Sequence, residues 1–416
     1  MRVLAVSFML PPMLYPQAIQ IGRLLEGSDI DLVTVSGRFA QVASGPQGKD
    51  FSSGQRFIHR MEFPHQSALS GIWHRVAMRL LPFYGRSPDE FLPWAKHSAD
   101  AVATWLKDNR HQVDVLATFG EPMSDHLIGL SLKKQFGIPW LAHFSDPWAD
   151  NPFRSFQPLA NWRNRKLEAE VIEKADSVVF TSEETKKLVM RKYPEAWMAK
   201  TFVLPHSFDV AEFENIRNTS QRADTLTIRY LGNFYGHRTP FPLLKALARL
   251  CQRSPEVLDG VCIEIVGGVP KWMRLHPALR RIPKQLLRFC PPVPYHRSLE
   301  LMAASDLLMV IDAPAKESVF LPSKLVDYIG TQQPIFGIVP PGASKRLIER
   351  LGGLTADPLD SDAIESQLMR AIADARSTRG AGMGWGDSAV RREFELEGVA
   401  QQFRRMLNET KLGSCT

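Results

Sequence analysis

The feature that most constrains this chain is a rhythm. Short apolar, β-branched runs recur along it, and each gives way to a stretch with helical spacing. RVLAVSF at residues 2–8 leads through a proline-rich loop into IQIGRLLEG, apolar at Ile19, Leu24 and Leu25, and DLVTVSG then returns to strand. A βαβ opening of this kind predicts a parallel sheet with ligand-facing loops at the carboxyl ends of its strands. Runs of the same character follow at 113–120, 138–146, 175–182 and 200–209. The sequence turns polar from Val210 to Asp224, which reads as an interdomain linker. A second alternation then begins with TIRYLGNFY and continues through LLKALARL, VCIEIVGG, DLLMVIDA, QPIFGIV and SKRLIERLGG. With 416 residues, the chain exceeds what one core serves, and two domains of about 200 residues each are expected.

Composition narrows the class further. Hydrophobic residues make up 44% and charged ones 23%, an ordinary globular balance that argues against disorder. The net charge of +7 suits anionic substrates or an anionic membrane surface, and no Lys/Arg block is dense enough to demand nucleic acid. Cys251, Cys262, Cys290 and Cys415 form no CxxC pair, so neither a zinc site nor a disulfide framework is expected, and a reducing cytoplasm fits. The uncharged run Val3 to Gly22 is broken by Pro11, Pro12 and Pro16 and reads as a buried strand plus loop rather than a signal sequence. Ser-His-Asp arrangements, P-loops and HExxH patterns are missing, as is a dinucleotide glycine fingerprint after the first strand.

The stretch with most chemistry in it is ESVFLPSKLVDYIGTQQPIF, residues 317–336. Pro322 and Ser323 suit the N-cap and first turn of a helix through Ile329, with Gly330 placed to stop it. Free N–H groups and the positive dipole end at Ser323, plus the charge of Lys324, would attract an anion. Asp327, one turn further on, can accept hydrogen bonds from a vicinal diol such as a ribose. On the pattern alone, an ordinarily capped surface helix explains the same residues.

PSKLVDYIGTQQPIFGI resembles the donor-binding segment of the retaining GT-B glycosyltransferases of family 4. That segment usually reads Pro-Ser-Lys-Leu-hydrophobic-Glu-Tyr, with a Gly and a Pro-hydrophobic strand after it. Asp327 stands where the family usually has Glu, and the acid expected eight positions earlier is replaced by Val319. The resemblance runs from the first strand to the final helix. It implies an α/β, GT-B fold of two Rossmann-like, doubly wound domains facing a central cleft. Residues 1–209 would be the acceptor side and 210–394 the nucleotide-sugar donor side, with a terminal helix at about 395–416 packing back on the first domain.

The resemblance also assigns roles. In LGNFYGHR, Gly232 and Arg238 occupy the first loop of the donor domain, where a basic residue meets the diphosphate; read alone, the stretch is a glycine turn with a solvated arginine. In PPVPYHRSLELMAASDLLMVI, Val293 and Tyr295 would frame the base, unless they are packing residues at a strand end. HFSDPWADNP resembles the family's Asp-Pro-Trp element, and Asp146 would be the polar group beside the reaction centre; an Asx cap before Pro147 explains it equally. His143 reads as structural, His206 as a cleft-lining or crossing-loop residue, and Glu121 and Asp125 carry no assigned role. Together Arg238 and Lys324 would stabilise a leaving nucleoside diphosphate without a metal or cofactor.

The implied activity is retaining transfer of a sugar, from a UDP-sugar, to a saccharide or lipid-linked acceptor in bacterial cell-surface polysaccharide synthesis. Two alternatives stand beside it. One is a GT-B nucleotide-sugar epimerase, and the other is a catalytically idle GT-B subunit, which Val319 would explain. Ala68 to Trp94 carries a basic and aromatic mixture and is a candidate for peripheral contact with the inner membrane face, unless its apolar residues pack inward.

Overall fold

In a computed structural model of the protein, residues 1–39, 56–63, 87–152, 158–219, 225–379 and 384–413 are described. Most of the basic and aromatic segment at 68–94 lies outside them. The chain divides into two compact units, Met1–His206 with Leu396–Thr416, and Ser207–Glu395.

The first unit is built on a seven-stranded, wholly parallel sheet. Its strands are β1 (Arg2–Val6), β2 (Asp31–Phe39), β3 (Arg56–Phe63), β4 (Val115–Gly120), β5 (Trp140–Phe144), β6 (Ser177–Phe180) and β7 (Thr201–Val203), in the order β3-β2-β1-β4-β5-β6-β7. Strands β1 and β4 to β6 are almost wholly buried, which is why they read as continuous apolar runs rather than alternating ones. The helix Leu396–Gly413 belongs to this unit, where Val399, Phe403 and Leu407 share a core cluster with Val3, Ile21 and Leu25.

The second unit repeats the design with six parallel strands. These are β8 (Leu226–Leu231), β9 (Val261–Val266), β10 (Leu287–Cys290), β11 (Leu307–Ile311), β12 (Ile335–Ile338) and β13 (Leu354–Ala356), in the order β10-β9-β8-β11-β12-β13. Both sheets reverse direction of growth beside their first strand, between β1 and β4 and between β8 and β11. Loops leaving those strands part from one another there, opening the crevice where ligands of such sheets bind.

Two sequence expectations are corrected. The polar stretch read as a linker from Val210 to Asp224 is, over Val210–Thr219, a helix that buries Phe213 and Ile216. Its polarity belongs to the exposed face of an amphipathic helix. Gly330 does not stop the helix it follows, which runs Ser323–Thr331 and ends at Gln332 with φ 56°. Gly330 is needed for packing instead, since a Cβ there would lie 2.9 Å from the ring of Phe213. Among the described residues no helix is long and apolar enough to cross a membrane.

Candidate functional site

The site is assembled at the switch point of the second sheet, from the loop after β8, the carboxyl end of β11 and the start of the helix Ser323–Thr331. The β8 loop is held by close backbone approach. Gly232 N–H donates to Val266 O at 2.9 Å, Phe234 N–H to Gly268 O at 2.9 Å, and Asn233 Oδ1 accepts from Gly268 N–H at 2.7 Å. Gly267, at φ +142°, leaves only 2.1 Å between a built Cβ and Gly232 O, so no side chain fits there.

The helix start carries the charge. Pro322 is its N-cap, and no side chain caps the first turn, so its leading N–H groups point outward unclaimed by a side chain. Tyr328, buried in the same helix, accepts a hydrogen bond from Leu231 N–H at 3.0 Å, which fixes the helix against the end of β8. That register brings Lys324 Nζ to 3.9 Å from the centroid of the Tyr230 ring, itself stacked 4.5 Å from Phe234. A Cβ at Gly232 would sit 3.1 Å from Lys324 Nζ. Among the described residues Lys324 has no hydrogen-bond or ion-pair partner beyond this ring. Burial first, and then the Arg238 charge, push its ammonium pKa well below the usual range, against an opposing pull from Asp312.

Arg238 is compensated where Lys324 is not. Its Nη2 donates to Asp312 Oδ1 at 2.9 Å, and its Nη1 to Tyr235 Oη at 3.3 Å. Burial works against the guanidinium's charge, but Asp312 and the neighbouring tyrosines outweigh it and raise its pKa. Asp312, at the carboxyl end of β11, also accepts from Ser318 Oγ at 2.9 Å and Ala313 N–H at 2.8 Å, so its carboxylate is well satisfied. It was not legible as a site residue, since DLLMVIDA reads as a strand; an acid terminating a fully apolar strand at a switch point is the signal that could have found it.

One turn beyond Lys324, Asp327 is buried, and its Oδ1 accepts from Tyr295 Oη at 3.0 Å. Tyr295 opens the helix Tyr295–Ala303, and both it and Val293 pack partly buried against the core cluster containing Tyr328 and Ile329. Gly232, Arg238, Tyr295, Ser323, Lys324 and Asp327 are thus gathered in one region of the second unit, with Val293 on its flank. Val319 is buried at 7% exposure.

Asp146 belongs to the first unit, in the bend after β5. Ser145 N–H donates to Gly120 O at 2.9 Å, and Ser145 O accepts from Thr181 Oγ1 at 2.9 Å, which pins that bend. The residues after it are structural. Trp148 is fully buried, Ala149 N–H donates to the buried Glu168 at 2.8 Å, and Asp150 pairs with Lys192 at 2.7 Å. His143 lies inside β5 and is buried; burial, reinforced by His206, lowers its pKa to about 3. His126, bonded to Thr118 Oγ1 at 2.8 Å, is lowered to about 3 by burial and His143. His206 is lowered to about 4 by burial and Arg23. Asp125 accepts from Phe8 N–H at 2.8 Å, yet burial together with Asp89 and Glu121 pushes its pKa well up. Burial therefore drives His126, His143, His206 and Asp125 toward their neutral forms. Among the described residues no group of three His, Cys, Asp or Glu is placed to hold a metal ion.

No protein-family model and no curated protein matches the chain. Solved structures do match it along its full length. Sucrose-phosphate synthase from Thermosynechococcus elongatus aligns with TM-score 0.70 and 17% identity over 98% of both chains. Anabaena HepE, solved with UDP and glucose, aligns with TM-score 0.65 and 14% identity over 98% of this chain and 99% of its own. A glycosyltransferase from Rickettsia africae aligns with TM-score 0.60 and 12% identity over 98% of both chains. The fold is GT-B, with two Rossmann-like units.

Proposed function

We propose that this chain is a glycosyltransferase that takes a sugar from a UDP-sugar. The observation carrying the proposal is Lys324, a half-buried ammonium with no hydrogen-bonded or ion-paired carboxylate among the described residues, placed at a helix start without a side-chain cap beside a glycine loop. Burying such a charge is costly unless something negative arrives to meet it. A diphosphate does so. In this reading Lys324 and the N–H groups from Ser323 meet one face of the diphosphate, Arg238 and the backbone at Gly232 meet the other, and Asp327 accepts from the ribose while Tyr295 orients it. Val293 and Tyr295 border the base. The two cations offset charge on the departing diphosphate without a metal or cofactor.

The binding of UDP and glucose by HepE favours a UDP-sugar as donor. Retention of configuration, Asp146 as the polar group near the reacting carbon, and a saccharide or lipid-linked acceptor in bacterial polysaccharide synthesis complete the proposal. Its setting is the cytoplasm, at the inner membrane face. Val319, a buried apolar residue where a second acid would hold the sugar, favours a second reading, an idle subunit that binds donor without turning it over.

Saturation-transfer NMR with UDP, GDP, ADP and their glucose conjugates tests the site. The expected result is contact with UDP and UDP-glucose that disappears in Lys324→Ala and Asp327→Ala. Silence with every nucleotide from folded protein would overturn the reading. Contact without slow release of UDP from any UDP-sugar would favour the idle subunit.

A further inference from the structure

A second surface of the donor-side unit carries charge that the nucleotide site does not use. Between Glu264 and Glu300 the chain contains no acidic residue and seven Lys or Arg; Arg297 pairs with Glu300, and the other six are Lys271, Arg274, Arg280, Arg281, Lys284 and Arg288. All six are exposed, and among the described residues none is ion-paired; Arg274 lies over the ring of Phe289 at 5.4 Å. The contrast with the helix Phe241–Arg253 beside them is direct, because there Arg249 pairs with Glu365 at 2.8 Å and Arg253 with the same carboxylate at 3.7 Å.

The same segment exposes apolar side chains. Two short 3₁₀ turns, Lys271–Leu275 and Pro277–Arg281, are anchored inward by Met273 and Ile282. They leave Trp272 56% and Leu275 81% exposed. Trp272 stands edge-on to Phe241 at 5.7 Å, and His276 stacks on Phe241 at 4.5 Å, so the turns are seated firmly on the helix rather than trailing from it. Arg288 is on β10, the edge strand of the sheet, where a charge protects against strand pairing. Edge protection explains Arg288 alone. It gives no reason to expose an indole and a leucine among five further unpaired cations.

We propose that this surface docks the protein on an anionic lipid bilayer. Trp272 and Leu275 enter the headgroup boundary, where an amphipathic indole and an aliphatic side chain are both favoured, and the flanking cations meet lipid phosphates. A nucleic acid or acidic polysaccharide would engage the cations but has no use for Leu275. The inference deepens the proposed function by placing the donor-side unit at a membrane, yet it rests on different residues, so either can fail alone.

The test is co-sedimentation of the full chain with phosphatidylcholine vesicles containing 30% phosphatidylglycerol or none. Binding to the anionic vesicles and little to the neutral ones is expected. Each cation near such a surface is worth about fivefold in partitioning, so Arg274→Glu with Lys284→Glu is expected to lower it by more than tenfold. Trp272→Ala with Leu275→Ala should lower it severalfold at unchanged charge, and Lys324→Ala should leave it unchanged. All the altered vesicle-site residues are exposed, and circular dichroism will confirm that each variant is folded. Equal binding to both vesicle types, or binding indifferent to the charge reversals, would overturn the proposal. So would loss of binding on charge reversal with no effect of Trp272→Ala and Leu275→Ala, which would point to a polyanion instead.

Discussion

The two units share a sheet order and treat its switch point in opposite ways. In the first, the inner ends of β4 and β5 are surrounded by His126, His143 and Asp125, groups that burial drives toward their neutral forms. In the second, the ends of β8 and β11 hold Arg238, Asp312 and Lys324, of which two are matched and one is not. The same backbone crevice thus gathers groups driven toward their neutral forms in one unit and, in the proposed reading, an anion site in the other. What decides is whether each buried charge is compensated from within the fold. Arg238 is matched by Asp312 within the fold, whereas Lys324 has no such pair among the described residues, and in the proposed reading its missing partner is a ligand.

The largest effect that would sharpen this contrast concerns Asp312. Asp312→Ala leaves Arg238 buried without its carboxylate, and a loss of about 3–5 kcal/mol in the unfolding free energy of the second unit is expected from denaturant titration. A loss below 1 kcal/mol would mean that Arg238 does not depend on it. Next comes acid. His126 and His143 have folded pKa values lowered from 6.5 to about 3, so the unfolded chain binds more protons below pH 6.5. The stability they contribute is complete above that pH and is lost on descent toward 3, by about 2 kcal/mol for each histidine at pH 5. Melting temperature against pH should fall less steeply in His143→Gln.

Asp125 has the opposite sign. Its raised folded pKa means that stability is lost as pH rises through it, and in Asp125→Asn the unfolding free energy of the first unit should fall less between pH 4 and pH 8 than in the native chain, as denaturant titration at the two pH values will show. Smallest is Tyr295→Phe, which removes one hydrogen bond to Asp327. The expected cost in UDP affinity by calorimetry is about 0.5–1.5 kcal/mol.

Much of this was legible in the sequence because the inner strands are buried on both faces, and the apolar runs that form β1, β4, β5, β8, β9 and β11 advertise it. Strands β3, β10 and β13 escaped notice. They lie at or near sheet edges, where RFIHRMEF and LRFC mix charges into the pattern and LTA is too short to have one. In the site, PSKLVDY placed Ser323, Lys324 and Asp327 on one helix start correctly, since their spacing is local. Asp312 was hidden because its importance lies in what it faces, 74 residues away in sequence at Arg238. The isolation of Lys324 was equally invisible, since the lack of a partner is a property of the fold and not of the heptapeptide.

The most direct test of the central claim is isothermal titration of UDP into the native chain and Lys324→Met, each in two buffers of different ionisation enthalpy. Burial lowers the Lys324 ammonium pKa and a diphosphate would favour its charged form, so any proton exchange linked at this site is uptake, and affinity should weaken as pH rises through the lowered pKa. In Lys324→Met the account predicts at least tenfold weaker UDP binding, no linked proton uptake from this site, and a ligand-free melting temperature no lower than that of the native chain. UDP affinity and proton linkage unchanged by the substitution would contradict it.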